Sequence, residues 1–307
     1  MTFRQLEAFL AIVRERSFSR AAARIHLSQP TLSEHIRELE RELGTPLFAR
    51  RGRDVTLTEA GRVFRPHAHR VTTAVNDGRQ AVAHLDGLGH GSLVVGAGTT
   101  PGIYVLPRVL AAFRRRYPRI DLALQVANSG VIETRVREGD VDIGVVGGHV
   151  LGPGERCVAA GLVDELVLIA PRGHPWAAHR PIRCGDLASE RLLVREPGSA
   201  TRQVMERALQ QAGVAPGETM ELNHTEAIKE CVMAGLGVAF VSAYAVRGEV
   251  RTRELVVVAV RGLHIRRHFH VIHAEGRSLP ASGRAFVGVL DQEAPRLVAR
   301  RGSRSGS

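Results

Sequence analysis

Apolar residues in the first sixty positions recur with the period of a helix. Leu6, Phe9, Leu10 and Val13 stand at i, i+3, i+4 and i+7, which predicts an amphipathic helix over residues 2–15. After a break at Ser17-Phe18, Ser19 is expected to cap a short helix to Ile25, whose small Ala21, Ala22 and Ala23 let another helix pack close. A tight turn at His26-Leu27 follows. Ser28 is placed to cap a third helix, with Pro30 in its first turn, Leu32, Ile36, Leu39 and Leu43 on one face, and Gly44 at its stop. Two short helices joined by a turn, behind a supporting helix, make a helix-turn-helix. Thr45–Leu57 reads as two short strands around the basic turn Ala49–Asp54, a wing.

Thr58 is then expected to cap a long helix to about Leu88, with Glu59 favoured in its first turn by the helix dipole. Phe64, Ala68, Val71, Val75, Gly78, Val82 and Leu85 step by four and three along it, a heptad seam. Such a seam calls for a partner helix, hence a homodimer, unless it lies on the chain's own core; Pro66 predicts a local kink. From Gly91 the pattern changes. Apolar strands at 93–96, 120–126, 142–146, 166–170, 192–194, 220–222, 238–241, 255–260 and 269–272 alternate with helices at 101–117, 131–138, 200–212, 225–234 and 281–298. Repeated β-α-β order predicts mostly parallel sheets, in two α/β halves with a cleft between them. The expected plan is a winged helix-turn-helix over 1–60, a linker and dimerisation helix over 61–90, a two-half α/β domain over 91–300 and a disordered tail over 301–307. Within the α/β domain one half takes about 91–161 with 266–300 and the other about 162–265.

Charge sharpens this picture. The net charge is +11 and lysine occurs once, at Lys229, so the positive charge is nearly all arginine, the side chain suited to phosphate and guanine. Arginine bias also follows from genome composition alone. No apolar run approaches the roughly 18 residues of a membrane helix, and Met1–Leu10 lacks a signal core. The expected location is the cytoplasm, without membrane contact. Cys157, Cys184 and Cys231 are far apart, which fits small buried apolar residues better than a zinc site or disulfides.

Catalytic and cofactor patterns are weak. Gly96-Ala97-Gly98 opens like a dinucleotide loop, but Pro101 holds the third glycine's place and Asp121 lies at the wrong end of its strand. No nucleophile elbow is present. Alternation puts His264, Arg266, His268 and His270 on one solvated face rather than around a metal. No metal or cofactor is expected beyond a small-molecule co-inducer.

The run Phe3-Arg4-Gln5-Leu6, Phe9, Ser19, Ala21-Ala22-Ala23, Leu27-Ser28-Gln29-Pro30, Ser33, Ile36, Leu39-Glu40, Leu43-Gly44, Leu47-Phe48, Arg50 and Leu57-Thr58-Glu59-Ala60-Gly61 resembles the LysR-type transcriptional regulators. Val141–Gly144 and Met233–Ala239 are similar to that family's effector domain. The resemblance implies two Rossmann-like subdomains like those of periplasmic binding proteins, and a homotetramer built as a dimer of dimers. It also implies operator DNA and RNA polymerase as partners. Glu34 departs from the family, which usually places a polar or basic residue there, so it must read a cytosine amine or turn away. Thr99–Pro107 and Glu196–Arg202 are similar to a branch that includes carbon-fixation and sulfur-assimilation regulators, which tends to sense small anions.

The candidate DNA contacts are Ser28, Gln29, Pro30, Thr31, Ser33 and Arg37 on the recognition helix and Arg50, Arg51 and Arg53 in the wing. The candidate effector site is Thr99, Thr100, Asn128, Ser129, Gly147, Glu196, Ser199, Thr201, Arg202 and His224, at strand-to-helix junctions where free N–H groups favour anions. Plain N-capping is the competing role for those hydroxyls. Two other functions compete with that of a ligand-responsive regulator: a solute-binding protein of the α/β cleft type, and an α/β enzyme.

Overall fold

The computed structural model describes residues 1–51, 54–83, 91–148, 155–178, 181–274 and 279–302. The chain divides into two units, residues 1–90 with 137–140, and 91–136 with 141–307. Among the described residues no helix is long and apolar enough to cross a membrane.

The first unit holds helices α1 (Phe3–Glu15), α2 (Phe18–Arg24) and α3 (Gln29–Leu43), strands β1 (Phe48–Arg51) and β2 (Asp54–Leu57), and helix α4 (Glu59–Ala83). Burial on α1 falls on Leu6, Ala8, Phe9, Ala11 and Ile12, while Leu10 and Val13 sit at its margin, so the buried face is turned from the one the spacing suggested. Ala21 and Ala22 are buried against it, and Leu32, Ile36 and Leu39 of α3 complete the core. The cap of α2 is Ser17, not Ser19: its oxygen accepts from the Arg20 N–H at 3.4 Å, because α1 ends at Arg16 in the left-handed conformation and turns the chain at once. Ser28 caps α3 and Thr58 caps α4, accepting from Thr31 and Gly61 N–H at 3.2 and 3.0 Å. β1 and β2 pair antiparallel.

The heptad seam on α4 splits. Ala68 is buried and Phe64 packs edge-on to Phe9, so its first two turns belong to this unit's own core. Farther along, Val71, Val75 and Val82 are 48%, 38% and 69% exposed. Leu85 lies outside the described residues.

The second unit starts with β3 (Gly91–Gly98), a single π turn (Pro101–Val105), α5 (Leu106–Arg116), β4 (Ile120–Ala127), α6 (Ser129–Glu138), β5 (Ile143–Gly147) and the long β6 (Glu155–Pro171). It continues with β7 (Leu192–Arg195), α7 (Ala200–Gln211), β8 (Thr219–Leu222), α8 (Thr225–Met233), β9 (Val238–Ser242), α9 (Arg247–Thr252), β10 (Leu255–Val258), β11 (Ile265–Ala274) and α10 (Ala281–Gly302). α10 runs through Pro295 and past the helix end expected at residue 298 to Gly302.

The sheet is mixed rather than mostly parallel. β3 runs parallel to β4 and β5, and β7 parallel to β8 and β9. Between these parallel sets lie β6 and β11, antiparallel to each other, with β11 also pairing β5 and β6 also pairing β9. These two strands therefore belong to both halves. Each half has its own core: Leu93, Val95, Phe113 and Phe286 in one, Leu168, Leu192, Val238 and Phe240 in the other. On β11, Arg266 and His268 are exposed and His270 half-buried, as the alternation predicts.

Candidate functional site

The reading helix α3 presents an exposed polar edge. Ser28, Gln29, Pro30, Thr31 and Arg37 are exposed, and Ser33 is half-buried. The Ser19 hydroxyl, freed from capping, donates to Gln29 Oε1 at 3.0 Å. Glu34 does not stand free; it pairs with Arg37 one turn on. Arg50 and Arg51 lie on β1 by their backbone, and Arg53 lies outside the described residues, as do the side chains of the other two.

In the second unit the strand ends converge on a narrow cleft. Gly98, Thr99, Thr100, Pro101, Asn128, Ser129 and Gly147 of one half face Arg195, Ser199, Ala200, Thr201 and Arg267. The room left among them is that of about one water molecule. Seven of the ten candidate effector residues line it. Glu196 stands beside it: its carboxylate takes the fork of Arg195 (2.8 and 3.0 Å) and the Asn128 amide (3.1 Å). Arg202 does not reach the cleft. The phase of α7 turns it outward onto Glu206 and Glu221, at 2.7 and 2.6 Å. His224 also lies outside; its Nδ1 caps α8, and the adjacent Thr225 accepts from Arg195 instead.

The capping alternative therefore holds for His224 and for Asn128, whose Oδ1 accepts from the Val131 N–H at 3.0 Å, and fails for the hydroxyls of Thr100 and Ser199. Neither Thr100 at the π turn nor Ser199 at α7 makes a side-chain cap bond. The first N–H groups of α7, those of Ala200 to Arg202, thus stay uncapped by Ser199, and the dipole there favours an acceptor or negative charge.

Two arginines escaped the sequence reading. Arg195 ends an apolar strand, and Arg267 sits on the inward face of β11 between Ile265 and Phe269. A lone charge at an inward strand position was the available signal for Arg267. Gly147 leaves space for it, since a Cβ there would lie 3.3 Å from Arg267 Cδ and 3.2 Å from the Phe269 ring. Burial pushes the Glu196 carboxyl up, but Arg195 and Asn128 outweigh burial and hold it below the usual range.

A second polar cluster joins the halves beside the cleft. Tyr104, at the far end of the π turn, donates to Glu226 on α8. Buried Lys229 binds Glu226, Glu249 and the Ala245 carbonyl. Burial and the Glu226 bond push the Tyr104 phenol well up; burial lowers Lys229, but the two carboxylates more than restore it.

A family model described as bacterial regulatory helix-turn-helix protein, lysR family, matches residues 3–62, and one described as LysR substrate binding domain matches residues 86–295. The chain belongs to the LysR family. A RuBisCO operon transcriptional regulator from Allochromatium vinosum is 35% identical over 303 residues, 98% of this chain and 99% of that protein. A full-length OxyR variant from Pseudomonas aeruginosa superposes with a TM-score of 0.78 at 25% identity, covering 96% of this chain and 94% of that one. The CcmR regulatory domain of Synechocystis PCC6803, solved in complex with 2-PG, superposes with a TM-score of 0.59 at 26% identity, covering 70% of this chain and 99% of that domain. In this LysR-type transcriptional regulator the first unit is thus the DNA-binding head, and the second is the effector domain that houses the cleft.

Proposed function

We propose that this LysR-type regulator controls carbon-fixation genes, binding their operator through α3 and the wing and responding to a small phosphorylated or carboxylated anion in the cleft. The observation that carries the reading is the convergence of unused donors. Four hydroxyls from both halves (Thr100, Ser129, Ser199 and Thr201) and the uncapped start of α7 all meet in one narrow space. That chemistry suits an oxyanion. Likeness to a RuBisCO operon regulator and to a domain that holds 2-PG supports the gene class and the anion class. On this reading Ser28, Gln29, Pro30, Thr31, Ser33, Arg37 and the wing arginines Arg50, Arg51 and Arg53 touch DNA. The exposed valines of α4 pair two chains, two such dimers form the tetramer, and RNA polymerase is the partner on the promoter.

An anion favouring one arrangement of the halves shifts the protein's population toward it without covalent chemistry. Isothermal calorimetry with 2-phosphoglycolate and inorganic phosphate, beside gel shifts on the upstream regions of carbon-fixation genes with and without them, tests both parts. Anion binding unchanged in Ser129→Ala and Ser199→Ala variants, or no retarded band on any such region, would overturn the reading.

A further inference from the structure

Arg267 is a charged side chain where charge is expensive. It is 5% exposed, and Asp164, its register partner on β6, is fully buried. Removing such a pair from water is costly, and a well-packed apolar pair often serves stability as well. Stability alone is therefore a weak reason for it.

Its bonds suggest another. Asp164 Oδ2 holds Nε at 2.9 Å and Nη2 at 2.8 Å. Asp164 Oδ1 is itself tied to the Ser242 hydroxyl at 2.7 Å and the Glu165 N–H at 2.9 Å. The fork is thus fixed, at the point where the two shared strands pair. Its other donors reach one threonine in each half: Nη2 to Thr100 Oγ1 and Nη1 to Thr201 Oγ1, both at 3.0 Å.

A hydroxyl has one proton and two lone pairs, and a guanidinium can only donate. Both threonines therefore accept from Arg267, and their protons point elsewhere. Neither proton has an acceptor among the described residues, and both residues line the cleft. Resting on the cleft reading above, we infer that Arg267 is a positioning residue: it turns Thr100 and Thr201 into two oriented, polarised donors that an anion bridges across the halves. Its own charge is already matched by Asp164, so it acts through the hydroxyls. The ligand this arrangement selects carries at least two acceptor oxygens, as phosphate and carboxylate groups do.

The test is calorimetry on the full-length protein with inorganic phosphate and 2-phosphoglycolate, for wild type, Arg267→Lys, Thr100→Val, Thr201→Val and Arg267→Lys with Thr100→Val. Lysine keeps the charge and loses the fork, so affinity should fall about tenfold, as it should for each valine. Residues acting as one unit give non-additive losses: the double variant should bind within about threefold of the weaker single, not at the roughly hundredfold product. A merely structural role for Arg267 makes the losses multiply. Multiplying losses, or wild-type affinity in Arg267→Lys, would overturn the inference alone. Wild type binding neither anion would overturn the cleft reading and the inference with it. If Arg267→Lys fails to fold, the neutral pair Asp164→Asn with Arg267→Gln carries the same cycle.

Discussion

Replacing Glu34 by glutamine should strengthen binding to every DNA duplex and steepen its salt dependence. Glu34 and Arg37 form an ion pair on the open side of α3, with side chains 50% and 66% exposed. So exposed a pair is held by only about 0.2–1 kcal/mol, too little to keep Arg37 from a phosphate. It is enough to set one negative charge beside Arg37, the candidate phosphate contact on α3. Glutamine keeps the shape and removes the negative charge. Each phosphate neutralised adds about 0.9 to the slope of log K against log salt. Raising salt from about 50 to about 200 mM multiplies that into a factor of roughly 3.5. The variant should therefore lose about 3.5-fold more affinity over this range than the wild type. Fluorescence anisotropy on the operator and on an unrelated duplex, at several salt concentrations, reads the slope directly. An unchanged slope, with affinity lost only on the operator, would refute this reasoning and assign Glu34 to a cytosine amine.

Other consequences follow from single contacts. A Cβ on Gly61 would lie 2.2 Å from the Leu47 carbonyl oxygen and 2.7 Å from Leu57 Cδ2; Gly61→Ala should cost the DNA-binding head about 1–3 kcal/mol or more, seen as a lower melting temperature in calorimetry. Val75→Asp places charge on the exposed apolar stretch of α4 and should leave monomers in light scattering; an intact dimer would move the interface elsewhere. Arg202→Ala breaks ion pairs outside the cleft, so calorimetry should show anion affinity unchanged within about twofold. Burial raises Glu226, but Lys229 and Tyr104 hold it below its ordinary 4.5, and Glu196 is lowered likewise. A depressed carboxyl stabilises the fold above the unfolded pKa, and that share is lost as pH falls through the folded one. Tyr104 and Lys229 sit above their ordinary 10.0 and 10.5, so their share is lost as pH rises beyond those values. Thermal melts from about pH 2 to about pH 12 should show both flanks, and Glu226→Gln should flatten both.

The head was legible in the chain because what builds it is local. Ser28 lies three residues from the N–H it caps, Thr58 likewise, and the apolar positions of α3 fall within one helical period of each other. Even there the choice between Ser17 and Ser19 was not local, since it depended on the left-handed turn at Arg16 that ends α1. In the effector domain the hydroxyl junctions at Thr99-Thr100, Ser129 and Ser199–Thr201 could be read, because strand ends and helix starts are marked within a few residues. Which charges meet those hydroxyls could not. Arg202 and Arg195 both flank Ser199, but the phase of α7 turns Arg202 outward while the end of β7 delivers Arg195 to the cleft. Arg267 acquires its role from Asp164, 103 residues away, and from Thr100, 167 residues away. Capping and periodicity act over a turn of chain, so sequence alone determines them. A buried charge is defined by partners that sheet register delivers from distant segments, and that register exists only in the folded molecule.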